Sequence, residues 1–591
     1  MNELRTVLPY FRPYRAMFVW GMVFVVLANV FSVAAPFLMK LAIDGLEDPN
    51  VTGARIATIA GAIVAAAVLG GAARFGMRQL LNSMSRHIET DLRDDFFRHL
   101  LRLDAAFYGS VRTGDLMSRA TNDTQAVRMA AGPAIMYTVN TAVTFTLALA
   151  LMLYISPRLT MYALVPMVIL PPIVLGFGKV IHRRFEQIQE QFSTLSTMVQ
   201  ENLTGVRIVR AYTQEDEQAR RFDALNEEYR SRNMGLAYSA GAFHPILGLI
   251  AGTAMVMVLW LGGREVIQGA ITVGDFVAFS FYLMLLVWPM IALGWVVNLF
   301  QRGAASMGRL NRILRTGTEL PVPERPHRLA SPRGRVRFEN VSFTYPGTDR
   351  PVLRDVTFTA EPGQTVALVG PTGSGKSTVM ALLARLYDPT AGRVLLDDVA
   401  LTEMDPEDLR RIIGMVPQDS FLFSDSIRAN IGLGMDQDDD GDDVHERVER
   451  AAHIAQLHDQ IEEFPGGYDT LLGERGINLS GGQKQRATLA RAVARDPVVL
   501  VLDDALSAVD THTEARILDD LRSVMRGRTS FIISHRVSAV MNADLILVLE
   551  DGAIVERGRH PDLMAGGGTY ARLLRRQMLE EGLEGEAVGA R

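Results

Sequence analysis

The chain has 591 residues, a formal net charge of −6 and no cysteine. That balance leaves no basic excess for binding nucleic acid, and the absence of thiols excludes disulfides and cysteine chemistry. The length suffices for several domains, and the halves differ: residues 1–310 carry long apolar runs, whereas residues 335–580 read as a soluble α/β domain.

The segment Met1–Arg15 lacks the short apolar core and cleavage site of a signal peptide. Six apolar stretches follow, roughly Met17–Met39, Ile56–Phe75, Pro133–Ile155, Leu159–Phe177, Phe243–Leu261 and Phe276–Phe300. Each is close to the roughly twenty residues that cross a bilayer's hydrocarbon. Arg74, near an end where it can snorkel, is their one Asp, Glu, Lys or Arg. Six such runs predict six membrane spans. Arginine sets their orientation. Arg5, Arg12 and Arg15 precede span 1, Arg86 to Arg128 fill the connection between spans 2 and 3, and Arg183 to Arg232 fill that between spans 4 and 5. The other connections are short and carry little positive charge. The positive-inside rule therefore puts both termini and both long connections in the cytoplasm.

Helical spacing of Leu92, Phe96, Phe97, Leu100 and Leu101 predicts that spans 2–5 continue as helices into the cytoplasm. Turn regions at Phe107–Asp115 and Thr204–Tyr212 could present short helices to the soluble half. Pro166, Pro171, Pro172, Pro245 and Pro289 sit inside spans and can mark kinks. Asn140 and Asn298 are conspicuous amides that either face a cavity or pack between helices. Span 6 offers Phe279, Phe281, Tyr282, Met284, Trp288, Met290 and Trp295, and most of these are expected at lipid-facing or interfacial positions. Residues 312–335, with Pro321, Pro323, Pro326 and Pro332, form a linker between a membrane domain, 1–311, and a soluble domain, 336–579. A polar tail, 580–591, is expected to fray.

The soluble domain opens with an alternating strand, Val336–Tyr345, which Tyr345 ends. The apolar strand Thr365–Val369 then runs into Gly370-Pro371-Thr372-Gly373-Ser374-Gly375-Lys376-Ser377-Thr378, followed by a helical run from Val379. Strand, glycine loop and helix in this order make a phosphate-binding P-loop. Its amides turn toward phosphate oxygens, Lys376 is placed for the β- and γ-phosphates of ATP, and the Ser377 hydroxyl for Mg²⁺. A second strand, Val498–Asp503, ends in the carboxylate of a Walker B, which puts Asp503 near the same metal. Upstream, Ser480-Gly481-Gly482-Gln483 opens another helix and can meet a second anion. One P-loop already serves one nucleotide, so this second turn points to a nucleotide held by another subunit. The acidic run Asp436–Asp443 lacks the spacing of a calcium loop and reads as solvated surface.

With these motifs in order, the soluble half resembles an ABC-type ATPase. The whole chain resembles a bacterial ABC half-exporter of the multidrug or lipid type. The resemblance implies a multidomain fold, an all-α six-helix transmembrane domain plus an α/β P-loop ATPase domain. It gives Tyr345 the place of an adenine-stacking aromatic. Gln418, in Val416-Pro417-Gln418-Asp419, becomes the glutamine that senses Mg²⁺ and the membrane half, and His535 a contact to the γ-phosphate. Gly473–Gly476 and Ser507–Asp510 match further motifs. The family works as two chains with two composite ATP sites, and with coupling helices that would fall near 107–118 and 207–216. It is multi-pass in the bacterial cytoplasmic membrane, with the ATPase domain in the cytoplasm.

One position departs from the pattern. The family places a glutamate after the Walker B aspartate as general base, and this chain has Asp504. Its carboxylate is one methylene shorter, and a misplacement of about an ångström can cost on the order of 10²-fold in rate. The expectation is a heterodimer with one slow ATP site; a homodimer with a tolerated swap is the other possibility. The expected function is ATP-driven export of a lipophilic or amphipathic small molecule or lipid, since the spans lack paired charges. An ATP-gated channel or regulatory membrane protein is the alternative.

Overall fold

The structure is a computed structural model that describes residues 2–47, 51–318, 320–435, 441–473, 476, 478–534, 536–576 and 578. It divides into two compact units, Met1–Leu101 with Thr113–Thr316, and Arg102–Arg112 with Gly317–Arg591.

Among the described residues the first unit is built on six helices long and apolar enough to cross a membrane. They are α1 (Arg15–Leu46), α2 (Gly53–Arg102), α3 (Thr113–Ile155), α4 (Pro157–Thr204), α5 (Glu215–Ile267) and α6 (Val273–Leu314). Each contains one of the six apolar stretches. At 1.5 Å per residue, the 50 residues of α2 extend about 75 Å, more than twice a hydrocarbon layer of about 30 Å. Beyond the apolar part of α5 the helix is laced with ion pairs one turn apart, such as Arg221 with Glu217 at 3.0 Å and Arg232 with Glu228 at 2.6 Å. The prolines noted in α4, α5 and α6, and Pro36 in α1, all lie within continuous helix. Wider π-turns occur at Arg119–Asp123, Ala130–Ala134 and Val258–Gly262.

Polar side chains tie the spans together where lipid cannot solvate them. Asn29 of α1 donates to Asn140 Oδ1 of α3 at 2.9 Å and to the Val25 carbonyl at 2.8 Å, and the Thr144 hydroxyl donates to Asn29 Oδ1. Asn140 is therefore engaged in helix packing, whereas Asn298 is exposed on α6. The expected outward placement of the α6 aromatics is corrected in part. Phe279 and Tyr282 are fully buried against α1 and α4, with the Tyr282 hydroxyl donating to the Val33 carbonyl at 3.2 Å, while Trp288 and Trp295 stay exposed. The reason is register: Phe279, Tyr282 and Leu286 recur at helical spacing on the face of α6 that meets its neighbours.

Ion pairs hold the ends of the bundle. Lys40 of α1 meets Asp275 of α6 at 2.6 Å, and Arg128 of α3 meets the buried Glu89 of α2 at 3.1 Å. Arg309 of α6 grips Asp123 of α3 through Nε at 2.9 Å and through Nη2.

The described residues of the second unit hold ten strands. In chain order they are β1 (Val336–Phe343), β2 (Leu353–Ala360), β3 (Thr365–Val369), β4 (Ala391–Leu396), β5 (Val399–Ala400), β6 (Ile413–Val416), β7 (Val499–Asp503), β8 (Thr529–Ile533), β9 (Leu545–Glu550) and β10 (Ala553–Gly558). One sheet is antiparallel with order β2-β1-β4-β5; the other has order β10-β9-β3-β8-β7-β6 and is parallel except for β10 at its edge. All five residues of β7 and of β8 are buried, as the interior strands of a parallel sheet covered on both faces require. Three helices matter for the site: α7 (Lys376–Leu383), α8 (Gly481–Ala494) and α9 (Thr511–Met525). The short helix Ala105–Ser110 belongs to this unit. Asp104 caps it by accepting from the Phe107 amide at 3.1 Å and also accepts the Thr318 hydroxyl at 3.1 Å.

Removing one member of the Arg309–Asp123 pair leaves Asp123 largely buried without its cation. We expect Arg309→Met to destabilise the folded protein by about 2 kcal/mol, less than for a fully buried pair because the Arg309 side chain is 43% exposed. Thermal unfolding in detergent measures this. The double variant Arg309→Met/Asp123→Leu should recover at least half of the loss, and a double variant as unstable as the single would show that the pair itself contributes nothing.

Candidate nucleotide site

The site grows from the carboxyl ends of adjacent parallel strands, where an open α/β sheet binds its ligand. β3 delivers the P-loop. Gly370 has φ +154°, and a Cβ there would lie 2.1 Å from the Leu549 carbonyl oxygen on β9, so the loop can leave the strand only through a glycine. Pro371, Thr372 and Gly373 are exposed at its crest, while Ser374 and Gly375 turn inward. Lys376 opens α7 and is 6% exposed. Its ammonium donates to the Gly370 and Pro371 carbonyls, both at 2.8 Å. Burial pushes the Lys376 pKa down, and the nearby carboxylates of Asp503 and Asp504 oppose that shift.

Two features mark the loop as a cradle for an anion. The first-turn amides of α7 have no intrahelical acceptor. The Ser374 hydroxyl is buried and has no hydrogen-bond partner among the described residues. A buried donor of this kind is satisfied when an acceptor oxygen enters the loop. Beside it, Ser377 Oγ donates to Asp503 Oδ1 at 3.1 Å, which joins the P-loop to the end of β7. Thr378 is buried, and its hydroxyl lies 3.1 Å from that of Tyr345. The Tyr345 ring stands edge-on to Phe343 and Tyr387, with centroids 4.9 and 5.3 Å away. The strand before it ends at Phe343, so Tyr345 lies in the following loop.

Gln418 follows β6, which pairs with β7 through Val416 and Leu502; it is exposed and makes no hydrogen bond among the described residues. Asp504 adopts φ +49°. Its amide donates to the Ile533 carbonyl at 2.9 Å and its carbonyl accepts the Ser507 hydroxyl at 3.1 Å. Among the described residues its carboxylate has no hydrogen-bond partner. His535, Glu474 and Arg475 lie outside the described residues, as do positions 436–440 of the acidic run, whose last members Asp442 and Asp443 begin the helix Gly441–Ile454.

Ser480 is the N-cap of α8 and closes a capping box with Gln483. Ser480 Oγ accepts the Gln483 amide at 3.2 Å, and Gln483 Oε1 accepts the Ser480 amide at 2.8 Å. Among the described residues the Ser480 hydroxyl hydrogen and the Gly481 and Gly482 amides have no acceptor. Among the described residues no hydrogen bond or ion pair joins residues 480–483 to the P-loop. One connection escaped the sequence analysis. Gln485 of α8 donates to Ser507 Oγ at 2.9 Å and accepts the Ala508 amide at 2.8 Å, fastening α8 to the turn that begins at Asp504. Gln485 sits one turn into a helix, and nothing in its local pattern distinguishes it from a surface glutamine.

Residues 18–290 match the family model described as the ABC transporter transmembrane region, and residues 353–507 that described as ABC transporter. A probable multidrug resistance ABC transporter ATP-binding/permease protein of Bacillus subtilis, YheI, is 37% identical, covering 98% of each chain. An ATP-dependent lipid A-core flippase of Nitrosococcus oceani is 36% identical over 97% of this chain and 95% of its own. The solved structure of a bacterial Atm1-family ABC exporter with ATP bound superposes with a TM-score of 0.77 at 30% identity, over 95% of this chain and 98% of the other. Six apolar helices and a P-loop domain joined in this order make a multi-pass inner-membrane protein with its ATPase domain in the cytoplasm. The chain belongs to the ABC transporters, as a half-transporter that couples ATP hydrolysis to export.

Proposed function

We propose that this chain works with a second, non-identical half-transporter, and that its own P-loop forms the slower of two ATP sites. The observation that carries the reading is Asp504, an aspartate where the family's base is a glutamate. In this reading the P-loop residues 370–378 hold the phosphates, Lys376 faces the β- and γ-phosphates, and Tyr345 meets the adenine. Ser377, Asp503 and Gln418 are the ligands of Mg²⁺. The donor set supports magnesium, which is held through one or two carboxylates and takes its other ligands from phosphates and water. Bound there, the ion neutralises charge on the transferred phosphoryl group. Among the described residues no cluster of three or more His, Cys, Asp or Glu competes for a metal. His535 contacts the γ-phosphate. Ser480, Gly481, Gly482 and Gln483 complete the site carried by the second chain.

The division of labour follows from reach. A shorter carboxylate binds ATP as well as a longer one does but aligns the attacking water poorly. ATP held long at this chain's site then keeps the ATPase domains associated while the other site cycles. The substrate is lipophilic or amphipathic. That reading is supported by the multidrug and lipid A names of the relatives, and by spans without the paired charges that an ionic ligand would need.

Three experiments test this. Lys376→Ala should weaken ATP binding at this chain's site by about tenfold or more, the loss of a charge-assisted contact. Titration in a complex whose other P-loop is disabled isolates the site, and unchanged affinity would mean that the cradle is wrongly assigned. Ser480→Ala should strongly depress total ATPase of the complex while Asp504→Asn changes it little. Asp504→Glu should raise turnover at this chain's site by an order of magnitude or more, against about 1 kcal/mol of left-handed backbone strain. If Asp504→Asn abolishes turnover, Asp504 is the working base, and a homodimer with two equivalent slow sites takes the place of this reading. In vesicles, ATP-dependent movement should favour amphipathic dyes or lipids; strict preference for a small, highly charged solute would refute the substrate class.

A further inference from the structure

The turn formed by Ser480–Gln483 does not hold itself. Beside it lies the short helix His458–Glu462, which carries Gln460. The Gln460 amide oxygen accepts two hydrogen bonds, from Gln483 Nε2 at 3.1 Å and from Arg486 Nη2 at 2.8 Å. Both donors belong to the opening of α8. Gln483 is the residue whose Oε1 closes the capping box on the Ser480 amide. Arg486, one turn on, is 7% exposed and donates through Nε to the Gly482 carbonyl at 3.3 Å and through Nη1 to the Gln456 carbonyl at 2.5 Å. Gln456 is itself anchored on α9, its amide donating to Asp520 at 2.6 Å.

This arrangement is unusual in charge. Among the described residues the buried Arg486 guanidinium forms no ion pair: its hydrogen bonds go to neutral oxygens, and the Asp510 carboxylate acts on it only from beyond ion-pair distance. A buried donor left without an acceptor costs more than a made bond contributes. Gln460 supplies an acceptor to the guanidinium and, with the other lone pair of the same oxygen, fixes the Gln483 side chain. Through those two contacts it sets where the Ser480 amide and the Gly482 carbonyl sit, and hence where the free N–H groups of Gly481 and Gly482 point.

We infer that Gln460 is a positioning residue for ATP turnover, one that holds the Ser480–Gln483 turn in the orientation that meets a nucleotide carried by another chain. It touches no nucleotide and acts through Gln483 and Arg486. The inference rests on the reading that this turn completes the second chain's site. Nothing in the sequence around Gln460 marks it, because its partners lie more than twenty residues away.

The test measures ATPase kinetics of the purified complex with its second chain. Gln460→Met fills the same space without an acceptor, whereas Gln460→Glu keeps an oxygen that both donors can reach. Gln460→Met should raise KM for ATP about five- to tenfold, the size of one lost hydrogen bond in the nucleotide-bound state, with kcat changed less than about twofold. Gln460→Glu should stay within about twofold of the parent in both constants. An unchanged KM in Gln460→Met, or a Gln460→Glu complex as impaired as Gln460→Met, overturns the inference. So does a lower thermal midpoint with unaltered kinetics, which marks a purely structural contact. Should Gln460→Met fail to assemble, Gln460→Asn carries the test with the same expected shift, since it draws the amide back by one methylene. Ser480→Arg serves as the control. If it leaves ATPase intact, the reading of the turn fails; if it abolishes ATPase while Gln460→Met is silent, only the role of Gln460 fails.

Discussion

A buried ammonium organises the ATPase half. Lys376 sits at the mouth of α7, out of water, curled onto two carbonyls of its own loop with two carboxylates nearby. Burial pushes its pKa down, and the Asp503 and Asp504 carboxylates oppose that shift. The loop can wrap the cation this closely only because Gly370 lets the backbone pass against β9 without a side chain. The hydrogen bond from Ser377 to Asp503 then locks the loop to β7, and the turn after β7 is fastened to α8 through Gln485. The P-loop, the end of β7, the Asp504 turn and α8 therefore form one mechanically continuous set.

The membrane half answers a different solvent. Hydrocarbon cannot satisfy a polar side chain, so those that remain in the spans find one another. Asn29, Asn140 and Thr144 do so between α1 and α3, and Tyr282 does so with a backbone carbonyl of α1. Toward the ends of the bundle, where side chains can reach water, full charges take over the same task, as between Arg309 and Asp123 or Lys40 and Asp275. The change from amide to ion pair along the helices tracks the change in solvent.

What was legible in the sequence is what a single local segment must contain to work. The P-loop, the strand ending at Asp503 and the Ser480 turn each need particular residue types at fixed spacing, so each could be read without neighbours. The spans were legible because a water-facing fold has little use for six long runs almost free of charge. The strand at Asp503 begins at Val499, one residue later than its apolar pattern suggests, the usual looseness of an element's end. Contacts between distant segments were not legible. Asn29 resembled any other small polar residue in α1, Gln485 and Gln460 resembled surface glutamines, and the burial of Phe279 and Tyr282 depended on which neighbours α6 meets. Nor does composition reveal that the chain turns left-handed at Asp504.

That left-handed turn bears on how such a site changes over evolutionary time. A short Asx side chain tolerates φ near +49° better than a longer acid does. The substitution that shortens the carboxylate therefore also relaxes the backbone beneath it. In the reading proposed for Asp504, fold stability and chemical competence pull this position in opposite directions. Drift under selection for folding alone runs toward aspartate or asparagine, and only a demand for turnover holds a longer acid in place.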